Sequence, residues 1–477
     1  MKRFIFFLIV LVSLPIFSQT CSFLWERMFV YGSGNSTDTP QALAIDKNNN
    51  IFASGSHITF KELFVQSAFK SFSDNGDEMS VFVDTISVWT NSNFNQITAL
   101  ENESVVFSSS YSDGTKTNLI CVDKNNTELW RKEIQGFPGI GSIGDTIVVV
   151  TQGSQNVFFY GPGGNLIRSF SLGDVRGNIT VRIHNDEIVV IALYYEGSIL
   201  SAFVRVSDRY SGQEIWRKNF LNNIRTFGDV DKDGNIYVGL SESQGQLLRL
   251  RLIKCDNNGN EIWRKEWYPR SEGGESNMAN FVNSVAVSWE SGQVVFAAEI
   301  QRDSANTGRV ISYVKSFSII NGDSLWEKRW LYDTNAIISH VTALKFNNTG
   351  NLLILGNTYT NPNGNPPNIC YLSKYSFGVT GIENISVSPS TYSLSQNYPN
   401  PFNPNTKIQF SITKEAFVTL KVYDVLGREV ETLVNGEKSS GAYEVSFDAS
   451  SLPSGVYIYR LQVQAAFVET KKMVLMK

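Results

Sequence analysis

Short runs of alternating apolar and polar residues, separated by polar turn residues, recur along most of this chain. The run at 256–267 shows the unit: Asn and Gly supply the positive-φ residues of a tight turn, and an alternating strand follows. Related runs stand at 123–134, 162–170, 211–220 and 321–330. Each predicts a turn followed by an edge strand buried on one face, and their recurrence predicts a repeat architecture.

A second recurring pattern is a hairpin, in which an apolar strand runs through a polar tip into a strand rich in β-branched or aromatic residues. In the clearest copy the tip reads Asp-Lys-Asp-Gly-Asn. No 3.6-residue period of useful length accompanies these hairpins, which argues against helical repeats. The sequence contains seven copies, at 42–55, 98–107, 143–150, 181–190, 228–239, 285–296 and 342–356.

The two patterns combine into units of four short strands, which predict the blades of a β-propeller. The last hairpin is followed by a third strand at 369–377 but by no Trp-bearing fourth strand, whereas such a strand at 22–30 precedes the first hairpin. If the N-terminal strand completes the last sheet, no backbone groups stay unpaired at the ends of the ring. We therefore predict an all-β fold: a seven-bladed β-propeller closed by an N-terminal strand. Six or eight blades are the alternatives, because the unit at 143–172 is short.

Residues 394–477 follow a different pattern, after a stretch of small, polar and Pro residues at 379–393 that reads as a linker. A proline-rich segment opens this module, and alternating runs then predict a small antiparallel, Ig-like β-sandwich. The predicted strands lie at 406–412, 417–423, 443–447, 455–463 and 469–475.

The start of the chain reads as a secretory signal peptide over 1–19, because a Lys-Arg pair precedes an apolar run at 4–17 and then Ser-Gln. A lipid anchor at Cys21 is the alternative. The expected order is signal peptide 1–19, propeller 20–378, linker 379–393 and sandwich 394–477. The other cysteines fall on third strands of three blades and are expected to be buried free thiols. They are Cys121, Cys255 and Cys370.

Composition limits the partners. With 477 residues and 42% hydrophobic content, the chain is long enough for two or more cores. Its net charge of -4 and pI near 5.6 lack the basic excess that binding to the phosphate backbone of a nucleic acid requires, so nucleic acid is not an expected partner.

Two resemblances to known families follow from these motifs. The Asp-x-x-Gly-Asn-Ile-Tyr-Val hairpins and Trp edge strands of 22–378 resemble quinoprotein-like and related secreted bacterial propellers, although an adjacent cysteine pair for quinone chemistry is missing. The C-terminal module resembles the type A C-terminal sorting domain of type IX secretion cargo in Bacteroidota; an ordinary Ig-like accessory domain is the alternative. The matching residues are Gln396, Asn397, Tyr398, Pro399, Asn400, Pro401, Phe402, Asn403, Pro404, Gly427, Arg428, Gly455, Tyr457, Lys472, Met473 and Lys477. This resemblance implies Sec and then type IX export, and a secreted or cell-surface protein.

Asp229, Asp231 and Asp233 have the spacing of a calcium loop, whose oxygens could converge on one hard cation. Leu240 stands where such a loop places a bidentate Glu, and the same stretch aligns with the ordinary hairpins. The sequence therefore favours turn chemistry, with calcium as the alternative. No other cofactor is expected.

The remaining candidates give no catalytic constellation. The repeated Trp residues are expected to pack between blades rather than to stack on sugars. His57 and His340 lie beside hairpins; a structural role is the favoured interpretation of each, and lining one end of the ring is the alternative. The long loops at 269–280 and 301–309 are candidate contact surfaces.

We expect a non-enzymatic binding scaffold with a glycan or protein ligand on its loops. The alternative is an extracellular hydrolase or lyase that acts on polysaccharide or peptide in the propeller funnel.

Overall fold

The computed structural model is all β and divides into two compact units, residues 1–378 and 379–477. No helix long and apolar enough to cross a membrane occurs in the part of the chain that it describes. That part comprises residues 21–31, 36–59, 64–84, 96–110, 115–152, 155–244, 247–268, 280–302, 309–330, 338–359, 369–377, 392–394, 396–397, 400–412, 414–438, 441–464 and 466–476. The predicted signal peptide lies outside these residues.

The first unit is built from short strands that pair with their neighbours in the chain. Their bounds are β1 (Cys21–Phe29), β2 (Ser36–Ile45), β3 (Ile51–Thr59), β4 (Phe64–Phe72), β5 (Glu78–Val83), β6 (Ile97–Ala99), β7 (Val105–Ser110), β8 (Lys116–Val122), β9 (Glu128–Gln135), β10 (Pro138–Ile143), β11 (Thr146–Thr151), β12 (Asn156–Tyr160), β13 (Leu166–Ser171), β14 (Arg176–His184), β15 (Glu187–Glu196), β16 (Ile199–Asp208), β17 (Glu214–Phe220), β18 (Asn223–Val230), β19 (Ile236–Gln244), β20 (Leu247–Cys255), β21 (Glu261–Trp267), β22 (Asn280–Ser288), β23 (Gln293–Arg302), β24 (Arg309–Ser318), β25 (Ser324–Trp330), β26 (Ile338–Phe346), β27 (Leu352–Tyr359) and β28 (Ile369–Phe377).

These strands form antiparallel sheets in chain order. Strands β2 to β21 make five separate four-stranded sheets. Strands β22 to β25 make a further antiparallel set, and one parallel bridge between Val310 and Ile338 joins it to the set β26, β27, β28. We call each group of four consecutive strands a set. Each predicted hairpin forms the first and second strands of a set, and each predicted turn leads from the third strand into the fourth, which is the predicted edge strand.

The N-terminal strand completes the last set. Strand β1 pairs antiparallel with β28, so that Met28 lies opposite Tyr371 and Trp25 opposite Lys374. The prediction that a strand from the start of the chain supplies the missing fourth strand is confirmed. As a result, the backbone of β28 is hydrogen-bonded on both sides.

The sets are arranged in a closed ring. The first strand of each set contacts the first strand of the next, in the order β2, β6, β10, β14, β18, β22 and β26, and β26 contacts β2. The first strands are therefore innermost and surround a central channel, as in a β-propeller.

Tryptophans on the outer strands connect neighbouring sheets. Trp216 donates its indole N–H to the carbonyl of Asn257 in the next sheet (2.8 Å), and Gly259 of the same turn lies against the indole. Gly259 has φ of +82°, and a Cβ there would lie 2.8 Å from the ring. The indoles of Trp25, Trp130 and Trp263 make the same contact with Gly76, Gly164 and Gly322 of the following sheets. The prediction that these tryptophans pack between sheets is confirmed.

Apolar cores fill the spaces between successive sheets. Cys121, Cys255 and Cys370 lie in these cores as buried free thiols on the third strands β8, β20 and β28, as expected.

The second unit contains two sheets that share one apolar core, including Phe402, Phe447 and Tyr459. The sheets pair in the orders β29-β30-β33 and β32-β31-β34-β35. Their strands are β29 (Ser393–Leu394), β30 (Asn405–Ile412), β31 (Ala416–Tyr423), β32 (Glu429–Lys438), β33 (Gly441–Asp448), β34 (Gly455–Val463) and β35 (Phe467–Leu475). The five predicted strands form, and the sequence pattern missed β29 and β32.

Candidate functional site

The central channel of the first unit holds a cavity of about 480 Å³. Residues of each of the innermost strands named above line it, together with Glu299 from β23. Most of the lining side chains are small, aliphatic or hydroxylated. The charged side chains in the lining are Arg182, Arg225, Lys345 and Glu299.

β-Bulges in the middle of three innermost strands place polar side chains in this lining. The pairing shifts by one residue at Gln41 in β2, at Asn283 in β22 and at Thr342 in β26. All three bulged residues line the cavity. A bulge redirects the side chain of its extra residue, so the same local distortion in three neighbouring sheets places polar groups along one side of the channel.

A hydrogen-bonded network lies at the start end of the innermost strands, which we call the entry end. Glu299 Oε1 accepts from Asn283 Nδ2 (2.7 Å) and lies 2.9 Å from His340 Nδ1. Arg225 donates to Asn283 Oδ1 at 2.9 Å. Burial alone would raise the pKa of Glu299. The contacts with His340 and Asn283 and the charge of Arg225 outweigh it and hold that pKa below its usual value. The network therefore presents an ionised carboxylate.

A second charged group lies at the opposite end of the channel, which we call the turn end because the innermost strands finish there in hairpin turns. Arg182 donates to Asp229 Oδ1 at 2.5 Å, and Asp229 Oδ2 accepts from the backbone of Val287 at 3.0 Å. Lys345 lies close to both charges. Burial, and then the charge of Arg182, lower the pKa of Lys345 to about 8, although Asp229 acts in the opposite direction.

His57 and Asp38 form a separate pair outside the cavity lining. His57 Nδ1 lies 2.6 Å from Asp38 Oδ1, and Asp38 Oδ2 accepts from the backbone of Tyr31 at 2.7 Å. The side chains of His57 and Asp38 are only 5% and 0% exposed. Lining an end of the ring was the alternative role for His57 and His340. His340 contacts the channel network, whereas His57 is buried beside Asp38, in a structural position.

The three aspartates of the predicted calcium loop have separate partners. Asp231 Oδ1 accepts from the backbone of Asp233, and Asp231 Oδ2 accepts from Tyr237 Oη (both 3.0 Å). Asp229 is paired with Arg182, and Asp233 with neighbouring Lys232. Across the described residues, no group of three His, Cys, Asp or Glu side chains is arranged to hold a metal ion. Calcium binding stays a prediction from spacing. The loops at 269–280 and 301–309 lie outside the described residues, apart from strand backbone at their ends.

In the second unit, the structure brings the first and last parts of the sorting motif together. Phe402 exchanges backbone hydrogen bonds with β35: its N–H donates to Val474 O (2.9 Å), and its carbonyl accepts from Met476 (3.0 Å). Asn400 Oδ1 accepts from Val474 N at 2.8 Å, and Gln396 Nε2 donates to Lys472 O at 2.7 Å. The opening segment therefore runs beside the final strand.

Several motif residues form the core of this unit rather than its surface. Asn397, Phe402, Tyr457 and Met473 are buried, and the Tyr457 hydroxyl donates to Pro453 O (2.8 Å). Of the others, Pro401 and Asn403 are exposed beside Phe402, Pro404 accepts from Ala449 N, Gly427 and Arg428 form the turn after β31, and Gly455 begins β34. Tyr398, Pro399 and Lys477 lie outside the described residues.

Comparisons with known proteins identify the second unit. Residues 396–476 match the family "Secretion system C-terminal sorting domain". No curated protein matches the chain.

Solved structures similar to the chain include hydrazine synthase from Kuenenia stuttgartiensis, with 11% identity, a TM-score of 0.46, and coverage of 74% of this chain and 100% of that one. A polysaccharide lyase, PL25 ulvan lyase, has 12% identity, a TM-score of 0.46, and coverage of 69% and 93%. The β-propeller domain of the Trilobed protease from Pyrococcus furiosus has 10% identity, a TM-score of 0.40, and coverage of 68% and 91%. These similarities carry no inference about the activity of this chain.

The family match covers the segment whose motifs pack into one β-sandwich, and the ring of antiparallel sheets stands before it in the chain. The protein is therefore a β-propeller joined to a type IX secretion C-terminal sorting domain, and it is exported to the cell surface or secreted.

Proposed function

We propose that this protein is a seven-bladed β-propeller that binds a ligand in its central channel and does not catalyse a reaction. In this proposal, residues 1–19 direct Sec export, residues 20–378 form the propeller, and an Ig-like sorting module at 394–477 follows a linker and serves type IX export. The observation that carries the binding role is the channel itself. Its cavity of about 480 Å³ lies in the size range of small-ligand pockets, and polar groups converge there from several sheets.

The charges in the channel favour binding over catalysis. Glu299 is the one carboxylate among the described lining residues, and its pKa is held low, which suits a fixed charge rather than a general acid. Hydrolysis of glycosides by the usual route requires two carboxylates that face one substrate. The loops at 269–280 and 301–309, predicted from the sequence as contact surfaces, would extend the binding surface toward a glycan or a protein.

One observation supports an extracellular hydrolase or lyase as the second candidate. The Glu299–His340 pair lies beside the cavity, and a histidine oriented by a carboxylate can act as a general base. In that case Glu299 would be a positioning residue for His340, and turnover would depend on both.

The test is a binding screen of the full exported protein against glycan and protein arrays, with hydrolase and lyase assays run in parallel. A channel-blocking variant, Asn178→Trp, fills the cavity at a lining position where the native side chain makes no hydrogen bond with the described residues. Gln135→Trp on the exposed edge of β9 is the matched control. Glu299→Gln tests the enzyme alternative.

We expect a ligand that binds the wild type and the Gln135→Trp variant, is lost in Asn178→Trp, and is recovered chemically unchanged. Turnover that disappears in Glu299→Gln would establish the enzyme instead. Binding that is equal in all variants would move the site away from the channel.

A further inference from the structure

The net charge of the channel lining is opposite in sign to the net charge of the whole chain. The protein carries a net charge of -4, yet the charged side chains in the described cavity lining are three cations and one carboxylate. At the entry end, Glu299 accepts hydrogen bonds and lies within the field of Arg225, so the opposite charges there are balanced. The excess positive charge therefore lies at the turn end.

Lys345 is the source of this excess. It lines the cavity from β26, and Arg182 lines the same cavity from β14, three innermost strands away around the ring. The Lys345 side chain therefore faces the channel. Its amine makes no hydrogen bond or ion pair with any described residue, whereas Asp229 is already engaged by Arg182 and by the backbone of Val287.

An unpaired ammonium inside a narrow channel is unfavourable for the protein alone. Burial and the charge of Arg182 lower the pKa of Lys345 to about 8 because they disfavour its protonated form. An apolar side chain of similar length would line the same position without this penalty. Unfavourable charges of this kind are common where a protein binds a ligand of opposite charge.

We propose that the turn end of the channel binds the oxyanion of a small acidic ligand, with Lys345 as its ion-pair partner and Arg182 as a second donor. This proposal rests on the channel being the binding site, as proposed above. The small and hydroxylated side chains along the rest of the cavity, such as Ala44, Thr98 and Ser142, would accommodate a neutral, hydroxyl-bearing body. A carboxylate, sulfate or phosphate group attached to such a body fits this arrangement.

The experiment is isothermal titration of the full protein with galacturonate and galactose, which differ in having a carboxylate or a hydroxymethyl group. Inorganic sulfate and phosphate, titrated separately, distinguish an organic acid from a free inorganic anion. The variants are Lys345→Met, which removes the charge, and Lys345→Arg, which keeps it. Lys124→Met, at an exposed lysine of a distant turn, is the matched control. Thermal unfolding of every variant checks that it is folded.

We expect galacturonate to bind at least about 10-fold more tightly than galactose, and Lys345→Met to weaken galacturonate about 10- to 100-fold, as for loss of one charge-assisted hydrogen bond. Lys345→Arg and Lys124→Met should retain binding. Wild-type affinity should fall as the pH rises through about 8, because Lys345 loses its proton there, while Lys345→Arg should show no such fall. Tighter binding of sulfate or phosphate than of galacturonate would support the oxyanion site but assign it to an inorganic anion.

The contrary outcomes separate this proposal from the broader one. If galacturonate and galactose bind equally, or if no anion binds and Lys345→Met changes nothing, the oxyanion site is refuted. In that case, a screened ligand that Asn178→Trp abolishes would still leave the channel as the binding site. If Asn178→Trp also leaves every ligand unaffected, the channel proposal fails as well.

Discussion

Replacing Lys345 by Met should stabilise the protein at neutral pH. The pKa of Lys345 is lowered from its ordinary value of 10.5 to about 8, first by burial and then by Arg182. A lysine with a lower pKa in the folded state than in the unfolded state destabilises the fold while it is protonated. The penalty is complete below the folded pKa of about 8 and disappears as the pH rises toward 10.5.

The size of this penalty follows from the two pKa values. One pKa unit corresponds to about 1.4 kcal/mol, so the change from 10.5 to about 8 gives an upper limit of about 3.5 kcal/mol. Lys345 is partly exposed to the channel, and solvent screens part of this energy. We therefore expect Lys345→Met to raise the free energy of unfolding by about 2 kcal/mol near pH 7, and by half of that or less near pH 9.5.

Urea unfolding of wild type, Lys345→Met and Lys345→Arg at the two pH values measures this directly. Lys345→Arg should give no gain at neutral pH because it keeps the charge. Lys124→Met, at an exposed and ion-paired lysine, controls for loss of a surface charge and should have little effect. A loss of stability in Lys345→Met, or a gain of equal size at both pH values, would refute the reasoning. The predicted result, stabilisation together with weaker anion binding, is typical of a residue retained for function.

Three further predictions concern single contacts. Gly259→Ala should lower the free energy of unfolding by about 2–3 kcal/mol, because the added Cβ at positive φ meets the Trp216 ring, whereas Gly292→Ala, with positive φ but open space, should lose only about 1 kcal/mol. Thermal unfolding measures both, and equal losses would show that contact with Trp216 adds nothing to the cost. Asp231→Ala should lower the free energy of unfolding by about 2 kcal/mol, because it removes the carboxylate that accepts hydrogen bonds from the Asp233 backbone and the Tyr237 hydroxyl. A calcium chelator should leave the melting temperature of the wild type unchanged, whereas a lower melting temperature would support the cation site. Asn397→Ala should destabilise the sorting unit by about 1–3 kcal/mol and reduce the exported fraction; normal export would show that the machinery does not require this packing.

Local patterns in the sequence predicted the sheets well because a turn and its flanking strands are neighbours in the chain. The tip of the hairpin at Asp231 shows this: the residues that accept and donate its hydrogen bonds lie within six positions. The Trp216 contact was also predictable as packing, since its position in the repeat fixes the neighbouring sheet. The strand Glu429–Lys438 was missed because its charged residues, Asn435 and Gly436 lower its β propensity, and pairing with β31 overrides that preference.

The channel site was not visible in the sequence because its parts come from distant positions. Arg182, Asp229 and Lys345 lie in three sheets, and nothing local marks their side chains as facing one another. The bulge at Asn283 is likewise a feature of sheet pairing that has no clear local signature. His340 was named as a residue near one end of the ring, but its partner Glu299 could be identified only from the fold.

The N-terminal strand β1 closes the ring of sheets by pairing with β28, and a disulfide across these two strands tests this closure most directly. Ser22 and Ser376 lie opposite each other in β1 and β28. In a Cys21→Ser background, Ser22→Cys with Ser376→Cys should cross-link under mild oxidation and raise the stability by about 3 kcal/mol or more, because the bond closes a very long loop. Ser22→Cys with Ser211→Cys, in a turn of another sheet, should not cross-link. Failure of the first pair, or equal cross-linking of both pairs, would contradict the closed ring.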